Sequence, residues 1–280
     1  MSVRNNEERL GAVQSESSPA PSSNVSDPLN FIVPTMHVDL PSKGKYYPAN
    51  HPLKDKDSIE LRFMTAKDED ILTSPNLIKK GIVLNRLVRS LLLDKTINPD
   101  DILLGDKNAI LIQARISGYG SWYQVNVTCP SCAEEQEEEY DIEECSILSG
   151  GDTDLENVSF LENGNFVITL PKTKVECEVK FFTGHEEKVI FKNLEQKKGP
   201  ENLLSQQMKL AVLAVNGHDN PEVVEYFIEN MPISDARALR EVYDKVSPSA
   251  NLRANFACQN CDHEEDVEVP LTTNFFWPDR

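Results

Sequence analysis

The 280-residue sequence predicts an α+β fold built from two tandem pseudo-repeats. Each would hold a strand, a set of capped helices and a strand–CxxC–strand knuckle, and one zinc-ribbon-like four-cysteine site would join the two knuckles. Three observations predict this: a motif that recurs 118 residues apart, amphipathic helical stripes behind each copy, and one CxxC pair at the end of each half.

The chain opens on a polar arm. Residues 1–33 are rich in serine and proline and poor in large apolar side chains. Such a segment cannot bury enough surface to offset its ordering entropy, so it is expected to be disordered. Folded structure is expected to start near Phe31-Ile32-Val33-Pro34, with a first pseudo-repeat over 34–145 and a second over 146–280. The recurring motif runs Ser58 to Leu72 and again Glu176 to Ile190. Glu60, Arg62, Phe63, Thr65, Asp68 and Glu69 stand against Glu178, Lys180, Phe181, Thr183, Glu186 and Glu187. In each copy an alternating strand leads to a Thr N-cap with an acid three residues on, which is the pattern of a capping box.

Helices follow. Leu84, Leu87, Val88, Leu91 and Leu92 keep helical spacing in the first half. In the second, Pro200 is expected to open a helix that encloses Leu203, Leu204, Met208, Ala211, Val212 and Val215 and closes at Asn216-Gly217. A short helix is then expected from about Asp106 and from about Asp235, each 23 residues before a CxxC pair. The spacing between the halves grows from 118 to 129, an insertion placed mostly in an extra helix from Pro221 to Met231. Strands Trp122–Thr128 and Asn251–Ala257 lead into the cysteines, and acid-rich strands return.

Cys129-Pro-Ser-Cys132 and Cys258-Gln-Asn-Cys261 read as metal knuckles, since zinc takes four thiolates in a tetrahedron. The 125 residues between the pairs exceed the usual ribbon spacing, and a pseudo-twofold fold-back would account for it. Eight of the twelve residues from Ala133 to Glu144 are acidic, and nearby carboxylates are expected to raise the thiol pKa values, which metal binding must overcome. His263 is expected to be solvated, and Cys145 and Cys177 to be free thiols.

Catalysis finds no foothold. No Walker A, dinucleotide, zinc-protease or nucleophile-elbow motif occurs, and the five histidines are scattered. His185-Glu186-Glu187 fits helix capping better than chemistry. The net charge of −18 argues against nucleic acid. The longest apolar run, Leu210 to Val215, is far too short to cross a bilayer. The start of the chain has no apolar core of a secretory signal, so the protein is expected to be soluble and made in a reducing cytoplasm. Two aromatic groups have two readings each. Tyr46 and Tyr47 either contact a partner or cover the first strand, and Phe275-Phe276-Trp277 either anchors in a neighbour or folds onto its own core.

Leu40-Pro-Ser-Lys-Gly-Lys-Tyr-Tyr-Pro48, Ile59 to Asp70 and Leu72-Thr-Ser-Pro-Asn-Leu77 resemble the N-terminal signature of the T-even bacteriophage baseplate hub family. Cys258-x-x-Cys261, then Val269-Pro-Leu-Thr272 and Phe275-Phe-Trp-Pro278, are similar to that family's C-terminal end. The resemblance covers about residues 36–280 and leaves the Ser/Pro arm and the insertion after Val189 unmatched. It implies a tail baseplate hub protein, a virion subunit or an assembly factor, that works with other baseplate and hub proteins and carries no catalytic residues. It also implies action in the host cytoplasm and a place at the virion tail. The competing readings are a zinc-ribbon nucleic-acid-binding or regulatory protein and an enzyme with a carboxylate-held metal.

Overall fold

Alternation of apolar and polar residues sets the first hairpin of the computed structural model, which describes residues 33–149, 155–196, 203–269 and 273–276. Strands β1 (Thr35–Asp39) and β2 (Ser58–Arg62) pair antiparallel, with Val38 opposite Ile59 and Met36 opposite Leu61. Val38, Ile59 and Leu61 are buried, and so are Tyr47 and Leu53 in the connecting loop. Helices α1 (Ala66–Leu72), α2 (Pro75–Lys79) and α3 (Val83–Leu91) follow. The expected stripe on α3 turns Leu87, Val88 and Leu91 inward.

Helix α4 (Leu104–Tyr119) is longer than expected. It is buried nearly all round, which explains its apolar run Ala109 to Ile112. Its Gly105 lies under the start of the last sheet, where a Cβ would collide with the Pro248 carbonyl. Strands β3 (Trp122–Thr128) and β4 (Glu135–Asp141) form a hairpin that buries Tyr123, Val125 and Val127 and turns acids outward. A single turn, α5 (Ile142–Cys145), then leads to β5 (Ser146–Ser149).

The second half opens with β6 (Val158–Phe160), β7 (Phe166–Thr169) and β8 (Glu176–Val179), then α6 (Gly184–Gln196) and α7 (Leu203–Ala211). The helix expected to run to Val215 ends at Ala211, and Val212–Val215 is strand β9 on the edge of β8. The apolar run fits either period, and the β-branched valines together with the open edge of β8 decide for strand. These strands make an antiparallel sheet in the order β6-β7-β8-β9. The extra helix stands where expected, as α8 (Pro221–Asn230), capped by Asn220, which accepts from the N–H of Glu222. Helix α9 (Ile233–Val246) precedes β10 (Ser249–Ala257) and β11 (Glu264–Glu268). A 3-10 turn, Thr273–Phe276, follows. The start of β10 also pairs with β5, so the segment that follows the first knuckle is woven into the last sheet.

From Pro34 onward the chain forms one compact unit. Leu104 donates to the Phe182 carbonyl (2.9 Å) and Gly184 to that of Ile102 (3.2 Å), while buried Lys107 pairs with Glu187. The halves are interlocked rather than strung side by side. The arm over residues 1–32, Pro200 and Trp277-Pro278 lie outside the described residues.

Candidate metal centre

Each CxxC pair sits at the tip of a hairpin whose backbone shapes a knuckle. The Cys129 N–H donates to the Glu134 carbonyl (2.8 Å), and the Ala133 N–H returns to the Cys129 carbonyl (2.9 Å). In the other tip Cys258 donates to His263 (2.8 Å) and Asp262 to Cys258 (3.2 Å). The residue after the second cysteine is left-handed in both, Ala133 at φ 59 and Asp262 at φ 56. Cys129 and Cys258 are buried, while Cys132 and Cys261 face solvent.

The four sulfurs lie within 4.8 Å of one another. Cys129 Sγ is 3.7 Å from Cys261 Sγ, and Cys132 Sγ is 3.6 Å from Cys258 Sγ, so each knuckle faces the other. These separations are too long for disulfides. A zinc tetrahedron with bonds of ~2.3 Å has edges of about 3.8 Å, and the cluster fits it. Four soft donors held this close can bind a metal ion.

Electrostatics point the same way. The backbone N–H of Glu134 holds the Cys132 thiol down to about 6, helped by Asn260 and the neighbouring sulfurs. At Cys261 the N–H of His263 also lowers the pKa, but desolvation and the sulfurs of Cys132, Cys258 and Cys129 prevail and push it to about 12. One thiol ionises readily and a later one resists, because a second thiolate would stand beside the first. The acid-rich strands, expected to raise the thiols, are not among the groups that set either value.

Two polar residues that the sequence reading missed brace the cluster. Gln136 of β4 donates to the Ala257 carbonyl (3.0 Å) and accepts from the Gln259 N–H (3.0 Å), clasping the opposite knuckle. The signal was present, since Gln136 is the one neutral side chain between Glu134 and Glu139. A carboxylate there could not donate. Asn260 donates through its backbone to Cys258 Sγ (3.4 Å) and through its side chain toward Cys132 Sγ (3.7 Å).

Other singled-out residues lie elsewhere. His263 pairs with Glu265 (3.1 Å). Cys177 is buried in β8, where desolvation pushes its thiol up to about 12. The side chain of Cys145 is outside the described residues. Glu186 accepts from both the N–H and the hydroxyl of Thr183, which makes it a cap. Tyr47 is buried and donates to Asp106 (2.7 Å), and Tyr46 packs on Phe160 and Phe181. Phe275 and Phe276 fold onto the chain's own core, with Phe275 edge-on to Tyr123 and its carbonyl taking the Arg115 Nε–H (2.5 Å). Tyr46, Tyr47, Phe275 and Phe276 therefore serve the interior.

A family model described as T4 bacteriophage base plate protein matches residues 33–277. The chain belongs to that family. The match spans both knuckles, so the four-cysteine cluster lies inside the matched region of this baseplate protein. No curated protein matches the chain, and no solved structure does. Among the described residues of the baseplate protein, no helix is long and apolar enough to cross a membrane.

Proposed function

We propose that this baseplate protein acts at the tail hub, as a hub subunit or as the factor that assembles one, through contacts with other baseplate and hub proteins. It works in the host cytoplasm during assembly, without membrane or nucleic-acid partners and without catalysis. Cys129, Cys132, Cys258 and Cys261 hold one structural zinc ion that ties the two knuckles together. The residues from 34 to 145 and from 146 to 280 are two copies of one unit, and the metal staples the copies.

The observation that carries the role is the family match across residues 33–277. For the metal it is the sulfur cluster, whose donor chemistry and spacing fit zinc. Affinity capture of the full chain from infected cells, with a search for it in mature virions, tests the role. Tail proteins are expected in the captured material, and their absence from both samples sinks it. Elemental analysis should find about one zinc per chain, as a closed four-thiolate site requires.

A further inference from the structure

Strand β7 is hydrogen-bonded along both edges. On one side it pairs with β8, and on the other Ser159 of β6 stands opposite Val167 while the Thr169 N–H donates to the Asn157 carbonyl (3.0 Å). Strand β1 is its counterpart in the first half. β1 runs into Leu40-Pro41 as β7 runs into Leu170-Pro171. Val38 faces Ile59 as Ile168 faces Cys177, and Met36 faces Leu61 as Phe166 faces Val179.

Among the described residues, the far edge of β1 has no such cover. Leu40 donates to Asp57 (2.8 Å) and Phe63 to Pro34 (2.9 Å), so alternation of the rungs turns the backbone groups of Thr35, His37 and Asp39 away from β2. Among the described residues β1 and β2 form a two-stranded sheet, and none supplies the strand that β6 supplies to β7. Beside this edge lies a groove of about 260 Å³, lined by Asp39 of β1, Ile112 and Ile116 of α4, and Glu143. Neither acid has an ion-pair partner among the described residues.

The turn that leads from β6 into β7 is not open to the residues just before β1. The turn from β6 to β7 uses Gly164 at φ 90, packed against the backbone of Tyr46. The same place before β1 is taken by Pro34, whose ring holds φ near about −65°.

We propose that the open edge of β1 is a strand-addition site for an extended segment of a partner protein, with apolar residues opposite Met36 and Val38 and a Lys or Arg beside Asp39 and Glu143. The pattern follows from β6, where Val158 and Phe160 face Ile168 and Phe166 and a serine lies between them. Backbone rungs give such a complex its affinity, and alternate side chains give it specificity. The basic residue complements two acids that have no ion-pair partner among the described residues, on a chain of net charge −18. This deepens the assembly reading by naming where a partner docks, and it rests on that reading only for the kind of partner.

The test uses the full chain and a fluorescent peptide that carries the sequence of residues 157–161 between two lysines. Saturable binding is expected, with amide exchange at His37 and Asp39 slowed on saturation. N-methylating the peptide amides that face β1 should weaken binding about tenfold or more, while methylating the alternate amides should not. Asp39→Lys with Glu143→Lys should also weaken it. Binding indifferent to which amides are methylated overturns the proposal, as does no binding at about 1 mM, far above a useful affinity. If His37 and Asp39 in the free chain are already as protected as Val167 and Thr169, the chain or a second copy covers the edge, and the partner is ruled out. These outcomes concern the edge alone, whereas capture of tail proteins tests the assembly role separately.

Discussion

The two halves solve three local problems with the same chemistry and differ nearly everywhere else. Ahead of the first helix, Thr65 and Asp68 are matched by Thr183 and Glu186, with Arg62 or Lys180 pairing the acid. At the last helix, Asp106 accepts from the N–H and hydroxyl of Ser42, and Asp235 accepts from the N–H and hydroxyl of Thr173. At the tips the knuckles share their turns. Between these points the first half inserts a loop after Leu40-Pro41, seen as a spacing that falls from 130 at Leu40 and Leu170 to 118 at Ile59 and Cys177. The second half adds β6, α8 and a full β9, of which Leu92 bridging Leu61 is the one-residue equivalent. The matched positions are those where a buried carboxylate or a clustered thiol leaves few alternatives, and loops are free to differ because their entropic cost rises slowly with length.

The largest way to break the symmetry is at the four cysteines and the zinc we propose they hold. Each knuckle contributes one sulfur to each of the two shortest cross-pairs, so losing one ligand undoes both tips. Structural zinc contributes about 10–16 kcal/mol of apparent binding free energy in small domains, and that energy is folding energy. Cys258→Ser is expected to lose the zinc and to lower the melting temperature by roughly ten degrees or more, given about 2–4 °C per kcal/mol at this size. Chelation of the wild-type chain should reproduce it. An unchanged melting curve in both would leave the staple without support.

The buried aspartates sharpen the comparison at intermediate cost. Asp106 receives one backbone N–H, from Ser42 (2.9 Å), and two hydroxyls, from Ser42 (2.6 Å) and Tyr47 (2.7 Å). Asp235 receives two backbone N–H groups, from Lys172 (2.9 Å) and Thr173 (2.9 Å), and one hydroxyl. An amide keeps one acceptor oxygen and turns a donor toward the rest. Hydroxyls can rotate to accept from that donor, but a backbone N–H cannot. Burial raises the pKa of Asp106, whereas at Asp235 the bonds from Thr173 and Lys172 outweigh burial and lower it. Asp235→Asn should therefore cost about 2–3 kcal/mol and Asp106→Asn less than about 1 kcal/mol by denaturant unfolding. The reverse order would mean that the two carboxylates are not serving the matched roles their contacts describe.

Much of this was legible in the sequence, for identifiable reasons. The cysteines and the Thr-x-x-acid boxes are short motifs whose chemistry tolerates few substitutes, and strand β3 occupies the expected residues Trp122–Thr128. Helix α7 was read four residues too long because Leu210 to Val215 satisfies both periods and only the neighbouring edge of β8 chooses. The Leu-Pro turns at Leu40 and Leu170 escaped notice because the insertion after the first shifts the spacing. The aromatics at Tyr47 and Phe275 could not be assigned to interior or interface, since composition is the same for both.

The smallest expected contrast lies in the two caps, and it can be separated from the others by pH. Burial alone would raise Asp68, but the Arg62 guanidinium (2.7 and 2.8 Å), Ser90 and Thr65 hold it well below the usual carboxylate range. At Glu186 burial is likewise overcome by Lys180 (2.7 Å) and Thr183. Arginine grips the shorter acid with two bonds and also donates to Ser90 (2.6 Å), whereas lysine reaches the longer acid with one. A carboxylate whose folded pKa lies below its unfolded value adds stability that is complete above the unfolded value, near about 4, and fades as pH falls toward the folded one. Arg62→Met should cost about 2 kcal/mol at pH 7 and Lys180→Met about 1 kcal/mol, because the first leaves a fully buried acid facing an apolar side chain. Both costs should shrink below about pH 4, as the unfolded chains and the folded variants take up protons while the folded wild type keeps its acids ionised. If the cost of Arg62→Met is the same at pH 3 as at pH 7, the arginine is acting through packing rather than through the charge on Asp68.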